Sequence, residues 1–380
     1  MIATLALVAC GTPPTAQPVP TPAAKTPSPV STAKSAVGPL AVLVQRAGAG
    51  EPYVIQLLRP DGRALPAVHA MTRSAKAYFP ASSPCPAAGC AADSANNQLP
   101  ETGHSSTRVY FLDGEADLKS LSPAGTVTLV RRLDLPANTN IAFAVSPDDS
   151  RLAVGQLTYG AAGATPAFSL RLYVENLTDG KNRVDLFMSN TAAEWPVGWH
   201  GGKLVVAVGK PGVFAGFNPY GAIEYHLVDP DTGNRQALIG CSFGPLVASG
   251  SACWTPGRLG RQDWAGATTQ FRLDPAGPVG QVQESFVALS PDGSRVAAAV
   301  RAASAAAYRT ELFQDGAEST LAPDAAPLGW LDAGHVVLLT ASGLAVVDLA
   351  GKSVNPVTGL STLPGQGFPT FFGVLPSGLG

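Results

Sequence analysis

The segment FAVSPDDSRLAVG at Phe143–Gly155 recurs, slightly changed, as FVALSPDGSRVAAA at Phe286–Ala299. In both copies a short apolar run enters a Ser-Pro-Asp turn and a second apolar run leaves it. Proline presets φ at the first turn position, aspartate can accept hydrogen bonds from its own backbone, and Asp149 or Gly293 tolerates the left-handed conformation that follows. Because the apolar runs are too short for helices, each segment predicts a hairpin of two buried strands.

Hairpins of similar form recur at a spacing that suits a β-propeller. The separation of Ser146 and Ser290 divides into three steps close to the roughly 40–50 residues of a four-stranded propeller blade. Degenerate copies begin at Trp199, Trp254 and Gly329, and a second pair of strands with its own turn follows most of them. Four short strands with a turn every ~8–12 residues are typical of an all-β repeat protein.

The repeated signature resembles a known family. Ser-Pro-Asp-Gly followed by apolar residues and alanine, with Val228-Asp-Pro-Asp-Thr-Gly233 on a later strand pair, resembles the Pro-Asp repeat of TolB-type and WD-repeat-like β-propellers. The resemblance covers most of residues 39–380 and is strong at two copies. It implies a propeller fold and almost nothing about function, because propellers host many unrelated activities.

We expect an all-β, seven-bladed β-propeller that the C-terminal strand closes. Blade one has only three predicted strands, Leu40–Gln45, Tyr53–Leu58 and Ala64–Val68, and blade two is interrupted by an insertion at Ala81–Ser106. The segment Thr370–Pro376 is left over and resembles the first strand that blade one lacks, so lending it to blade one would remove a free sheet edge. Six or eight blades stay open if blade two or blade five is misassigned. The predicted blades begin at Leu40, Ala77, Ile141, Trp195, Ala252, Phe286 and Leu328.

The N-terminus predicts export. Residues Met1–Cys10 have an apolar core too short to span a bilayer, and Leu7-Val-Ala-Cys10 resembles the lipobox of bacterial lipoproteins, in which the cysteine is lipidated. No Lys or Arg precedes the apolar run, so either the true start lies upstream or the match is chance and Cys10 is idle. Residues 11–37 are rich in Pro, Ala and Thr and predict a disordered tether. The predicted location is the cell membrane, facing the periplasm or the cell exterior.

The other four cysteines form two pairs that are close in sequence. Cys85 lies near Cys90, and Cys241 lies near Cys253, so each pair can close a short loop in an oxidising compartment. The pairs therefore predict two disulfides. Two alternatives stay open, free thiols and a zinc site, although neither pair has the Cys-x2-Cys spacing that zinc sites favour.

Charge and motifs exclude several functions. With 27 acidic and 25 basic residues the net charge is −2, which offers no basic face for nucleic acid. The sequence contains no Gly-x-Ser-x-Gly, His-Glu-x-x-His, Gly-x-Gly-x-x-Gly or P-loop motif, and its five histidines are dispersed. Asp229-Pro-Asp-Thr-Gly233 is similar to the start of a calcium loop but lacks the distal glutamate. We expect no cofactor and no metal, and a monomer.

The most informative functional signal is the placement of aromatic residues on loops. Loops between second and third strands, and loops between blades, fall on one face of a propeller around its channel. We expect four enlarged loops there, at Gln156–Phe168, Lys210–Gly221, Arg258–Ala267 and Arg301–Tyr308. Aromatic anchors beside a concave mouth suit a ligand or protein site. The predicted binding residues are Tyr159, Phe214, Phe217, Tyr220, Arg261, Trp264 and Tyr308.

Two functions are compatible with these features, besides a third and weaker one, a structural part of an envelope assembly that makes contact through the insertion Ala81–Ser106 on the opposite face. The first is a lipid-anchored, non-catalytic binding module of the bacterial envelope, whose partner is an envelope protein, a glycan or a small molecule. The alternative is a propeller hydrolase or lyase, of the lactonase or glycosidase type, with its site at the channel mouth. Since propeller catalytic groups come from distant strands and leave no local motif, the sequence does not decide between them.

Overall fold

The computed structural model describes 27 strands within the predicted propeller region, and the described residues contain no helix. Consequently, no described helix is long and apolar enough to cross a bilayer. The described residues are 38–46, 48, 50–74, 102–136, 138–159, 168–192, 194–209, 222–239, 245–255, 258–271, 281–301 and 308–376.

The strand bounds follow the alternation of apolar runs and turns in the sequence. In chain order the strands are β1 Leu40–Arg46, β2 Pro52–Leu58, β3 Val68–Met71, β4 Thr102–His104, β5 Val109–Asp113, β6 Asp117–Leu121, β7 Val127–Arg132, β8 Thr139–Val145, β9 Arg151–Tyr159, β10 Phe168–Asn176, β11 Val184–Ser189, β12 Glu194–His200, β13 Lys203–Gly209, β14 Ala222–Val228, β15 Arg235–Ile239, β16 Ser251–Thr255, β17 Arg258–Gln262, β18 Thr268–Gln270, β19 Gln281–Leu289, β20 Arg295–Arg301, β21 Arg309–Gln314, β22 Ala317–Ala322, β23 Ala325–Asp332, β24 His335–Thr340, β25 Gly343–Asp348, β26 Ser353–Pro356 and β27 Thr370–Leu375.

The strands form seven antiparallel sheets, one for each blade. Five blades use four consecutive strands each, namely β4 to β7, β8 to β11, β12 to β15, β19 to β22 and β23 to β26. Blade one has the order β27-β1-β2-β3, and blade five has the described order β16-β17-β18. The first strands of successive blades contact one another, β27 with β4, β4 with β8, β8 with β12, β19 with β23 and β23 with β27. The fold is therefore a seven-bladed β-propeller, as predicted.

The C-terminal strand closes the ring. β27 pairs antiparallel with β1, with Leu375 opposite Leu40 and Thr370 opposite Val44. Two buried glutamines of blade one hold the connection that leads into this strand. Gln45 accepts a hydrogen bond from Leu363 N at 2.6 Å, and Gln56 donates to Gly359 O at 2.8 Å and accepts from Ser361 N at 2.9 Å. The predicted closure is confirmed, and its first strand comes from the far end of the chain.

Both Ser-Pro-Asp turns adopt the predicted geometry. Ser146 Oγ donates to Asp148 Oδ1 at 2.6 Å, and Ser290 Oγ donates to Asp292 Oδ1 at the same distance. The next residue has positive φ in both copies, 59° at Asp149 and 71° at Gly293. One carboxylate thus ties each turn to its own serine, which explains why this residue pattern reverses the chain so tightly.

The core lies between blades. Three tryptophans of first strands, Trp195, Trp199 and Trp330, are at most 3% exposed and each packs in a cluster that spans two neighbouring blades. Trp330 Nε1 also donates to Ala288 O of the preceding blade at 2.9 Å. These tryptophans therefore form part of the packing between neighbouring blades.

Two predicted boundaries in blades one and two are wrong. The fourth strand of blade one begins at Val68, because Ala64 only forms an isolated bridge with Leu58. Blade two begins at β4, inside the segment that was predicted to be an insertion into that blade. β4 is three residues long and reads Thr-Gly-His, so it has no apolar run by which the sequence could reveal it.

Blade five also differs from the prediction. Val247 and Gly250 form an isolated bridge just before β16, with hydrogen bonds of 2.9 and 3.0 Å between their backbones. Ser249 Oγ donates to Ser290 O, in the first turn of blade six, at 3.3 Å. Val247 therefore occupies the first-strand position, and β16, β17 and β18 are the second, third and fourth strands. The sequence prediction began this blade one strand too late.

Candidate functional site

The two faces of the propeller carry different connections. Because neighbouring strands of a blade run in opposite directions, successive connections alternate between the two faces. We call turn face the one that carries the first-to-second and third-to-fourth turns, such as Ser146–Ser150 and Ser290–Ser294. We call loop face the one that carries the second-to-third and blade-to-blade connections. By strand order, the described strand ends on either side of residues 75–101, 210–221 and 272–280 lie on the loop face, whereas the connection 357–369 starts against the β2–β3 turn of blade one, where Thr358 N donates to Gly62 O at 3.0 Å.

Tyr308 is a predicted binding residue that the structure places on the loop face. It lies directly before β21, and its carbonyl accepts a hydrogen bond from Ala325 N at 3.1 Å, which ties it to blade seven. The guanidinium carbon of Arg301, at the end of β20, lies 5.8 Å from the centroid of the Tyr308 ring. This aromatic and cationic pair can contact a ligand through both ring and charge. That role stays a prediction.

Sequence reasoning missed Phe368 on the same face. This side chain is 50% exposed, although it lies only two residues before β27. The hydrogen bonds of Gln45 to Leu363 and Gly367 fix the connection that carries it. An exposed phenylalanine on a connection held by buried groups is a rigid apolar contact point. Its position on the loop face could not be predicted because the sequence does not show where this connection runs.

The other predicted loop-face residues are described only in part. Tyr159 is the last residue of β9, so its backbone reaches the loop face. Phe214, Phe217 and Tyr220 lie outside the described residues. Their contribution to a binding site stays a prediction.

Arg261 and Trp264 lie on the turn face, opposite to their predicted place. Arg261 belongs to β17, and its Nη1 donates to Gly293 O at 2.8 Å. Trp264 lies in the β17–β18 turn, where Nε1 donates to Val247 O at 3.1 Å and the ring stacks on His200 with centroids 4.6 Å apart. Both residues connect blade five to its neighbours. The prediction misplaced them because it assigned β17 to a second-to-third loop.

The cysteine predictions are tested at one residue only. Cys253, in β16, is 6% exposed and is disulfide-bonded. Its predicted partner Cys241, the pair Cys85 and Cys90, and the predicted lipidation site Cys10 all lie outside the described residues. The pairing and the lipid therefore stay predictions.

The first strands, which surround the axis, carry mainly apolar side chains where they are partly exposed. Val197, Leu328, Phe372 and Val374 are examples. One polar residue away from the strand-end turns is His104 in β4, whose ring lies edge-on to Phe372 with centroids 6.4 Å apart. Burial lowers the pKa of His104 to about 4, so its imidazole is neutral at pH 7. Sequence reasoning did not single out this histidine because β4 itself was missed.

A carboxylate and an imidazole form a pair on the turn face of blade seven. His335 Nδ1 lies 2.8 and 2.9 Å from the two carboxylate oxygens of Asp332, and both side chains are partly exposed. Asp332 Oδ1 also accepts a hydrogen bond from Gly334 N at 2.6 Å. The aspartate thus shapes the turn and at the same time orients the ring, as a general-base pair requires.

The calcium-like segment works as a turn. Asp229 Oδ1 accepts hydrogen bonds from Asp231 N and Thr232 N at 3.0 and 2.9 Å. These bonds hold the pKa of the Asp229 carboxyl below its ordinary value. Asp231 pairs with Arg151 of the preceding blade at 2.8 Å. Within the described ranges no group of three or more His, Cys, Asp or Glu side chains is arranged to hold a metal ion.

Comparison with known proteins gives fold-level likeness only. No protein-family model and no curated protein sequence matches the chain. Among solved structures, an oligogalacturonate lyase in complex with manganese is 11% identical with a TM-score of 0.45, over 80% of this chain and 89% of that one. The oligogalacturonate lyase of Vibrio parahaemolyticus is 9% identical with a TM-score of 0.35, over 85% and 82%.

A peptidase is similar at the same level. The acylaminoacyl peptidase of Pyrococcus horikoshii is 12% identical with a TM-score of 0.43, over 84% of this chain and 52% of that enzyme, so the chain spans about half of it. At such values the likeness carries no argument about activity. The propeller assignment rests on the strand order of this chain itself.

Proposed function

We propose that this protein is a binding module whose recognition surface is the loop face of the propeller. The observation that carries the proposal is the contrast between the two faces. Turn-face side chains such as Arg261 and Trp264 connect neighbouring blades. The loop face carries Tyr308, Arg301 and the half-exposed Phe368, together with the described strand ends on either side of residues 75–101, 210–221 and 272–280. The residues Tyr159, Phe214, Phe217 and Tyr220 belong to the same proposed surface. Its partner is an envelope protein, a glycan or a small molecule.

The proposal includes a lipid anchor and the Pro-Asp repeat family of TolB-type propellers. The chain enters the propeller at β1, whose first residue, Leu40, pairs with the last residue of β27, Leu375. Since first strands run towards the turn face, the chain enters on that face. Changing Cys10 to Ala should release the protein from the membrane fraction; retention there would contradict the anchor.

Site-specific photo-crosslinking in the producing cells tests the recognition surface. A photoreactive amino acid at Ser342, an exposed loop-face residue in the β24–β25 turn, should give an adduct of defined mass. The matched control is Leu129, which is 57% exposed on the outer strand β7. Changing Tyr308 and Phe368 together to Ala should remove the Ser342 adduct. Equal adducts at Ser342 and Leu129, or an adduct that survives the double change, would contradict the proposal.

A second candidate function is a hydrolase or lyase with its site at the channel mouth. The specific observation in its favour is the Asp332–His335 pair, which holds Nδ1 and leaves Nε2 to act as a base. The similar structures name two substrates to try, oligogalacturonate and an N-acylaminoacyl peptide. Turnover that falls about a hundredfold or more in His335→Asn would support the enzyme. Turnover unchanged by that substitution would exclude this pair as its site.

A further inference from the structure

The inner wall between blades one and two contains two polar side chains, Thr102 and His104, for which the described part of the chain shows no hydrogen bond. Thr102 is 3% exposed, and its Oγ1 is buried without a hydrogen bond among the described residues. His104 follows two residues later, so it lies on the same side of β4. Its ring lies edge-on to Phe372 of β27. A buried hydroxyl without a partner costs roughly 1–3 kcal/mol, so its retention needs a reason.

The opposite side of this wall is built to approach the histidine closely. Gly373 of β27 has a φ of +136°, and a Cβ placed there would lie 2.7 Å from His104 Cε1 and 2.9 Å from Nε2. The side of β4 at Gly103 faces blade three, because a Cβ built on Gly103 would lie 3.2 Å from the Phe143 ring. Thr102 and His104 therefore both face blade one, next to Phe372. The Thr102 hydroxyl and the His104 ring thus lie on the side of β4 that faces β27, where the His104 ring contacts Phe372.

We propose that Thr102, His104 and Phe372 form a binding subsite for an uncharged small molecule with an apolar body and a hydroxyl or amide head. The hydroxyl and the neutral imidazole can each donate or accept a hydrogen bond, but neither neutralises a charge. The ring of Phe372 and the neighbouring Val374 offer apolar surface for the body of the ligand. The subsite lies in the channel wall and does not depend on the proposed lipid anchor or on the loop-face partner.

A fragment series tests the chemistry of the subsite. Benzamide and benzyl alcohol carry the required head, benzoate carries a charge, and toluene has no head. We expect saturable shifts of the His104 Cε1–H resonance with the first two probes and none with benzoate, which the site cannot pair. Toluene should bind about three- to tenfold more weakly than benzamide, the value of one neutral hydrogen bond. The resonance is assigned by its loss in His104→Gln.

A matched pair of threonine substitutions separates binding from folding. Thr310 is also fully buried, but its Oγ1 donates to Ala325 O at 2.9 Å. Thr310→Val should lower the melting temperature by about 2 °C. Thr102→Val should leave it unchanged or raise it, and should weaken benzamide binding about three- to tenfold.

Three results would overturn the subsite. The first is a melting temperature that falls in Thr102→Val as much as in Thr310→Val, because the hydroxyl would then be structural. The second is an ordered water bridging Thr102 and His104 in a crystal grown with benzamide, with no shift of the His104 resonance. The third is equal shifts with benzoate and benzamide. Loss of the Ser342 adduct or of the anchor leaves these measurements unaffected, so the two proposals fail separately.

Discussion

The turn face and the loop face of this propeller use their side chains in different ways. On the turn face, hydrogen bonds cross from blade to blade: Arg151 binds Asp231, Arg261 binds Gly293 O, and Arg295 binds Ala333 O. On the loop face, the buried Gln45 holds the closing connection through Leu363, Phe368 is half exposed and Tyr308 is partly exposed. The loop face also carries cross-blade bonds, such as the one from Arg73 Nη2 to Pro136 O at 3.0 Å, so what distinguishes it is the pair of exposed aromatic side chains that we propose for recognition.

The largest expected effect comes from breaking the ring on which both faces depend. Phe371 of β27 is 9% exposed and packs against Leu43 and Leu331 at the closure. Phe371→Ala should lower the free energy of unfolding by about 3–5 kcal/mol, the usual cost of removing a buried phenyl ring. The same change at the half-exposed Phe368 should cost less than about 0.5 kcal/mol. Equal urea midpoints for the two variants would contradict the closure.

The turn face itself is tested by two glycine substitutions in neighbouring turns. Both Gly293 and Gly266 have positive φ, +71° and +89°. A Cβ at Gly293 would overlap Arg261 Nη1 and lie 2.8 Å from Ser249 Cβ, whereas a Cβ at Gly266 would meet nothing within 4 Å. Gly266→Ala should cost about 1 kcal/mol for the backbone alone, and Gly293→Ala should cost about 1–2 kcal/mol more. Equal losses of unfolding free energy in the two variants would show that Arg261 and Ser249 can move aside without weakening the junction between blades five and six.

Two tryptophans at equivalent positions sharpen the comparison between blade junctions. Trp330 Nε1 donates to Ala288 O, whereas Trp199 Nε1 is buried without a partner among the described residues. Because both substitutions by Phe remove the same volume, the difference between their stability losses reports mainly the indole hydrogen bond. Trp330→Phe should be more destabilising than Trp199→Phe by about 1 kcal/mol. If Trp330→Phe cost no more stability than Trp199→Phe, the indole hydrogen bond would not hold blades six and seven together.

The smallest expected effect is a dependence of stability on pH that arises at the turn face. Burial opposes ionisation of Asp148 and Asp292, but hydrogen bonds from Ser146, Ser150, Ser290 and Ser294 outweigh it and lower both pKa values. These carboxyls bind fewer protons in the folded than in the unfolded chain. Their contribution is therefore present above the unfolded pKa of about 3.9 and is lost as pH falls through the folded pKa.

The measurement is urea unfolding at pH 7 and at pH values below about 4. Asp148→Asn with Asp292→Asn should flatten the loss of stability on acidification while leaving the strand content unchanged. If acidification lowered the free energy of unfolding of the double variant as much as that of the unaltered protein, the acid-sensitive groups would lie elsewhere. His104 is another acid-sensitive group. Its pKa is lower in the folded than in the unfolded chain, so protonation of the unfolded chain reduces stability as pH falls from about 6.5 towards 4.

Much of the fold could be predicted from the sequence because its repeated unit is local. The Ser-Pro-Asp turns at Ser146 and Ser290 determine their own geometry within five residues, so the sequence alone identifies them. The closing strand was found because Thr370–Leu375 resembles a first strand without a blade. By contrast, β4 and the first strand of blade five lack apolar alternation, and burial there comes from neighbouring blades.

The candidate site was less predictable because a face assignment depends on counting strands. One missed strand in blade five moved Arg261 and Trp264 to the wrong face. Tyr308 was placed correctly because blades six and seven were both assigned with the right strand order. His104, Thr102 and Phe368 were missed because their surroundings are made by β27 and its connection, more than 200 residues away for the first two.

The most direct test of the central claim is a double comparison of stability and capture. Arg151→Ala with Arg295→Ala alters the turn face, and Tyr308→Ala with Phe368→Ala alters the loop face, each read by urea unfolding and by the crosslink at Ser342. We expect the turn-face variant to lose about 0.5–2 kcal/mol of stability and keep the crosslink, because two hydrogen bonds from partly exposed arginines are lost. The loop-face variant should keep its stability and lose the crosslink. The opposite pattern, capture lost from the turn face and stability lost from the loop face, would contradict the division between the two faces.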